Sequence, residues 1–203
     1  MFGYNNATDV DDNGKTIFHH LFTASKYCGL AASIASNCFG RNQARLAGSY
    51  EKAMSYKVQS GQPKGWTPLH ILCQNNDILF ATKQIIIELL ENKVVPMESF
   101  DTVADNNGVT PLMNACGSGI ADCVQELGNR GAKFDRLDNK KRGCLQRARQ
   151  CQGNNQKLVR WLEAHIRTNL VDSNGKGRAY EERSAGSFSK TFRELVPMYR
   201  GGY

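Results

Sequence analysis

Apolar residues recur at spacings of three and four positions in several separate segments of the chain, which is the pattern of amphipathic helices. Residues 78–92 and 120–131 show it, and each follows a shorter apolar segment across a polar or glycine-rich break. Residues 155–166 (NQKLVRWLEAHI) show it too, with the face Leu158, Trp161, Leu162 and His165. The pattern predicts an all-α protein built from pairs of helices.

The motif G-x-T-P-L begins two of these pairs, at residues 65–69 and 108–112. Its threonine is suited to cap a helix, because the hydroxyl can accept a backbone N–H that the first turn leaves unpaired. Its proline occupies the first helical position, where the missing N–H costs nothing, and its glycine permits a tight turn before the helix. The motif residues are Gly65, Thr67, Pro68, Gly108, Thr110 and Pro111.

Two weaker copies of the motif flank these pairs. Near the N-terminus, Gly14 and Thr16 are in register with the glycine and threonine, but Ile17 replaces the proline. Towards the C-terminus, residues 138–148 match residues 105–115 position by position at a distance of 33 residues, without the threonine and proline. The chain therefore holds about four related units.

The spacing between the earlier units is longer than 33 residues. It is 51 residues from Thr16 to Thr67 and 43 residues from Thr67 to Thr110. We therefore expect insertions at about 40–62 and 93–104, the first with an amphipathic helix that begins at Asn42.

Together with Gly131, in NRGAKFD at 129–135, which is placed to end a helix, these motifs resemble the ankyrin-repeat family. The resemblance implies an all-α solenoid of about four repeats over residues 9–167, in which the first and fourth are degenerate. It also implies that His70 and the neighbouring repeat's His19 make local hydrogen bonds. The function implied is non-catalytic protein–protein recognition through the turns between repeats.

Residues 13–21, NGKTIFHHL, raise the possibility of a nucleotide or metal site. A phosphate-binding loop would place its first glycine at Asp9, and the carboxylates nearby would repel phosphate. His19 and His20 point about 100° apart on a helix, so they do not readily share a metal. No catalytic motif is present either. We therefore expect no enzyme activity, no cofactor and no metal site.

The seven cysteines form no C-x-x-C pair and their number is odd. This usage is typical of buried thiols in an intracellular, reducing compartment, whether cytoplasm or organelle interior. The N-terminus is polar and acidic, without the pattern of a secretory signal or transit peptide. No apolar run reaches the length of a membrane span.

Positive charge is concentrated late in the chain, where residues 130–167 hold 11 Lys or Arg and three Asp or Glu. Such a block is compatible with a solvated end face, an acidic protein partner or a nucleic acid backbone, and the sequence leaves all three open. The candidate partner-binding residues in it are Arg130, Lys133, Phe134, Arg136, Lys140, Lys141, Arg142, Arg147 and Arg149.

Residues 168–203 form a polar, glycine- and serine-rich C-terminal arm that ends in a short apolar segment, FRELVPMY. Such a segment is typical of a docking motif, and its candidate contact residues are Phe192, Leu195, Met198 and Tyr199. We therefore expect a structural or accessory subunit of a larger assembly, bound to other protein subunits through its repeats and its arm.

Overall fold

The computed structural model describes residues 6–23, 47–75, 79–151 and 155–170. Every regular element in these ranges is a helix, which confirms the predicted all-α class. The helices are α1 (Ile17–Thr23), α2 (Ala47–Ser55), α3 (Pro68–Leu72), α4 (Leu79–Glu91), α5 (Glu98–Asp101), α6 (Pro111–Ser118), α7 (Ala121–Asn129), α8 (Cys144–Gln150) and α9 (Gln156–Leu170).

The first helices of the units stack on one another, and so do the second helices. The short helices that follow the turns pack in sequence order, α1 against α3, α3 against α6 and α6 against α8. In a second row, α4 packs against α7. The core lies between the rows, and its side chains include Leu72, Ile86, Leu89, Leu112 and Leu127, each no more than 1% exposed. A pair of helices cannot bury its apolar face alone, so each unit depends on its neighbours.

The motif residues of the third unit have the predicted local geometry. The Thr110 hydroxyl accepts a hydrogen bond from the backbone N–H of Met113 (3.3 Å), and Pro111 occupies the first turn of α6. Gly108 has a φ of 76°, in the left-handed region that favours glycine, and Gly131 has a φ of 92° just after α7 ends. In the second unit, Pro68 likewise begins α3, and the Thr67 hydroxyl lies 2.8 Å from Nδ1 of His70.

The two expected insertions each contain a helix. In the second, α5 packs on α6 and buries Phe100 completely. In the first, α2 begins at Ala47 in the described residues, and residues 42–46 lie outside them. The ring of Tyr50 in α2 meets Phe18 of α1 edge to face, with centroids 5.7 Å apart. Both inserted helices therefore add to the packed core.

The chain divides into two compact units, residues 1–163 and 164–203. The structure describes only 164–170 of the second unit, which are the last residues of α9. Phe192, Leu195, Met198 and Tyr199 of the predicted arm lie outside the described residues. In the described ranges, no helix has the length and hydropathy needed to cross a membrane.

Candidate partner-binding surface

Three of the turns between repeats are built around a carboxylate. Asp11, Asp105 and Asp138 each accept, through Oδ1, two backbone N–H bonds of 2.8–2.9 Å from the residues two and four positions later. Burial acts to raise the pKa of Asp138, but the hydrogen bonds from Arg142 outweigh it, and the pKa is lowered. Asp138 therefore stays ionised, and the paired N–H bonds to each of the three carboxylates hold the turns in place.

Neighbouring turns are hydrogen-bonded to one another. The backbone N–H of Gln59 donates to the carbonyl oxygen of Asn13 (2.9 Å). The backbone N–H of Asn139 donates to the carbonyl oxygen of Asn107 (2.9 Å). The indole N–H of Trp66 reaches Oδ2 of Asp105 in the next turn (2.9 Å). The turns therefore form a connected row of fixed geometry.

His19 and His70 join each of the first two short helices to the next repeat. Nε2 of His19 lies 3.2 Å from the carbonyl oxygen of Trp66, and Nε2 of His70 lies 2.9 Å from that of Val109. A carbonyl only accepts, so each Nε2 carries the proton, and each Nδ1 accepts from the backbone N–H of Thr16 or Thr67. Burial of both rings lowers their pKa to about 4.

Four of the candidate arginines are engaged within the protein. Arg142 and Arg147 both pair with Oδ2 of Asp138, at 2.8 and 3.1 Å, and the Asp138 side chain is only 1% exposed. Arg149 pairs with Glu163 (2.5 Å). The fourth, Arg130, bridges two carboxylates, those of Glu91 and Glu126.

Arg147 also has a structural role at the junction of the third and fourth repeats. Its Nε donates to the carbonyl oxygen of Met113 in α6 (3.1 Å), and its side chain is 17% exposed. Met113 stands where His19 and His70 stand in the earlier repeats. In the second junction the equivalent residue, Asn114, donates to the carbonyl oxygen of His70 (3.2 Å), so Arg147 places a cation where that junction has a neutral amide.

The other candidate cations are free of such pairs. Lys133, Arg136, Lys140 and Lys141 are exposed, and no carboxylate in the described ranges lies within ion-pair distance of them. We call residues 133–141, which carry these side chains, the basic segment. It runs from the end of the third repeat into the fourth turn.

Residues 42–138 match the family model for ankyrin repeats, in three copies. These residues form ankyrin repeats. The match spans the second and third turns and ends at Asp138, so the first turn and the fourth helix pair rest on the structure and the sequence pattern. No curated protein matches the chain. Ankyrin repeats are in general protein–protein interaction modules and typically non-catalytic.

The aromatic residue of the basic segment packs into the ankyrin stack. The Phe134 ring meets Trp161 of α9 edge to face, with centroids 6.1 Å apart, and is half-buried. Gly128 of α7 makes this packing possible, because a Cβ there would collide with the Trp161 ring. The sequence analysis missed the roles of Gly128 and of the turn aspartates. The aspartates had left a signal, because an aspartate lies three residues before both Gly14 and Gly108.

A shallow open depression of about 640 Å³ lies on the surface of the described repeats. It is lined by Glu51, Leu90, Lys93, Val95, Pro96, Met97 and Arg130. It contains no histidine or cysteine, and its Arg130 is already paired with Glu91 and Glu126. The described residues hold no cluster of three or more His, Cys, Asp or Glu suited to a metal.

Proposed function

We propose that this ankyrin-repeat protein is a non-catalytic binding subunit, with a structural or accessory part in a larger protein assembly. The observation that carries the proposal is the use of the buried polar groups. His19, His70, Asp105 and Asp138 all direct their polar atoms to the backbone or side chains of the same or a neighbouring repeat. Functional groups of an enzyme would instead converge on a cavity, with atoms left available to a substrate.

The rigid row of turns supports a binding role. Because the carboxylates and the bonds between turns fix the backbone, exposed side chains on the turns lose little conformational entropy when a partner binds. We propose that the repeat domain spans 9–167, with insertions at about 40–62 and 93–104, and that the arm at 168–203 adds a second attachment. Two attachments joined in one chain raise the effective concentration of each.

The cysteines support an intracellular, reducing location. Cys73, Cys116, Cys123 and Cys144 are buried free thiols. Burial raises the pKa of Cys73 and Cys116 well above the ordinary value and that of Cys123 to about 12. Thiols of this kind serve as small apolar core residues.

The test is isolation of the tagged full-length protein from its native source at low ionic strength, with mass spectrometry and a solution mass of the eluted complex. We expect partner proteins in fixed stoichiometry with the chain. A variant that lacks residues 168–203 separates the contribution of the arm from that of the repeats. Recovery of the full-length chain alone, as a monomer, would overturn the proposal.

A further inference from the structure

The fourth turn differs from the others at its most constrained position. Gly14, Gly65 and Gly108 have φ values of 77°, 82° and 76° in the first three turns, whereas Lys141 occupies the equivalent position in the fourth with a φ of 61°. A residue with a Cβ is strained in this left-handed region. Such strain tends to persist where the side chain has a function.

Around Lys141 the positive charges are exposed and the negative charge is buried. The carboxylate beneath the turn, Asp138, is 3% exposed, and its two oxygens are occupied by backbone N–H groups and by Arg142 and Arg147. Among the described residues, no carboxylate therefore lies within ion-pair distance of the neighbouring Lys140 and Lys141. Both lysines remain solvated at the tip of a turn whose backbone is fixed.

We propose that the basic segment is a docking surface for an acidic segment of a partner protein, with Lys141 as a principal contact. The proposal rests on the proposed binding function and names the chemistry of the partner. Exposed, unpaired cations held on a rigid turn attract carboxylates at long range and lose little entropy on contact.

Two observations favour a protein over a nucleic acid. Proteins that bind single-stranded nucleic acids stack the bases on aromatic side chains. The aromatic side chain of the basic segment, Phe134, instead packs against Trp161. Phosphate recognition also favours several unobstructed arginine forks, but Arg142 and Arg147 are held by Asp138, which leaves Arg136 as the arginine of the basic segment.

The first test compares two charge-reversed variants of the full-length chain. One carries Lys133→Glu, Lys140→Glu and Lys141→Glu. The matched control carries Lys52→Glu, Lys64→Glu and Lys93→Glu, which reverses three exposed lysines elsewhere, again with one at a left-handed position. The probe is a fluorescein-labelled peptide of alternating glutamate and serine, with binding followed by anisotropy at low ionic strength.

We expect the first variant to bind the peptide at least tenfold more weakly than the wild type, and the control to change by about threefold or less. An oligouridylate of the same charge should bind the wild type no more tightly than the peptide. Equal loss in both variants, no binding of the peptide to the wild type, or tighter binding of the oligouridylate would each overturn the proposal.

A second test separates contact from folding. Lys141→Gly and Lys93→Gly both remove a lysine from a left-handed backbone, so both should raise the melting temperature, by about 2 °C. Only Lys141→Gly should weaken peptide binding, by about threefold. Equal effects of the two variants on binding would contradict the proposal.

The docking proposal and the broader function can fail separately. A partner isolated in fixed stoichiometry that remains bound to the Lys133→Glu, Lys140→Glu, Lys141→Glu variant would overturn the docking surface alone. Absence of any partner in that isolation would overturn the binding function itself.

Discussion

The junctions between repeats are made in two ways, and the two ends of the stack differ accordingly. In the first two junctions, a buried neutral histidine, His19 or His70, donates to a carbonyl of the next repeat. In the third, Arg147 of the fourth repeat donates back to Met113 and pairs with Asp138. An uncharged ring therefore crosses the first two junctions, and a cation crosses the third.

The difference has consequences for how each region responds to solution conditions. The stabilisation that a buried neutral imidazole contributes does not depend on salt, but it is lost when the ring is protonated. A guanidinium remains charged at any ordinary pH, and because the Arg147 side chain is 17% exposed its attraction to Asp138 is partly screened by ions. The histidine junctions should therefore weaken in acid, and the arginine junction should weaken in salt.

The largest expected effect is the loss of stability in mild acid. Each histidine has a pKa of about 4 in the folded protein against 6.5 unfolded, so the unfolded state takes up the protons first. The contribution is complete above pH 6.5 and is lost as the pH falls towards 4. Between pH 7 and 5 it amounts to about 2 kcal/mol per histidine. Urea denaturation at the two pH values measures it, and equal free energies of unfolding would contradict the prediction.

Substitution of adjacent histidines gives the next largest effect. His19→Ala removes a buried ring that bonds Thr16 and Trp66, and should cost about 3 kcal/mol at pH 7. His20→Ala is the control, since the His20 side chain is 26% exposed and its pair with Asp11 (3.0 Å) lies near the surface; it should cost about 0.5 kcal/mol. Similar losses in the two variants would show that position 19 has no special role.

Arg147→Met tests the arginine junction. It removes the bond to Met113 and one of the cations on Asp138, so it should cost about 2 kcal/mol at low ionic strength and less in high salt. Arg149→Met is the matched control, because Arg149 is 46% exposed and should contribute about 0.5 kcal/mol or less. Denaturation curves at two salt concentrations would reveal the dependence. A cost for Arg147→Met that does not change with salt would argue against a charge-based junction.

The smallest effect concerns the packing of α9 on the third repeat. Gly128→Ala adds a Cβ that collides with the Trp161 ring, and this cost outweighs the helix propensity gained, for a net loss of about 1 kcal/mol. Gly48→Ala places its Cβ in open space on α2 and should instead stabilise the protein by about 0.5 kcal/mol. Thermal unfolding of the two variants should show shifts of opposite sign.

The sequence predicts the repeat register well because glycine, threonine and proline act locally. Gly108, Thr110 and Pro111 specify the turn and the helix start through their own backbone preferences, and the fold class follows. The family comparison confirms the ankyrin repeats over 42–138.

The sequence could not separate structural from free cations. Arg130 pairs with Glu126, four residues before it, and also with Glu91, which is 39 residues away along the chain and is brought near only by the fold. Asp138 pairs with Arg142, four residues later in the same turn, and with Arg147 of α8, both within the fourth repeat. Composition predicts a basic block, but contacts in the folded protein decide which charges remain on its surface.

The most direct test of the two kinds of junction is an NMR titration of the imidazole ¹⁵N signals between pH 7 and 4. The account predicts that His19 and His70 stay neutral, with the proton on Nε2, until the pH approaches 4. Titration of either ring near pH 6.5, or a proton on Nδ1, would contradict the claim that neutral histidines join the first three repeats.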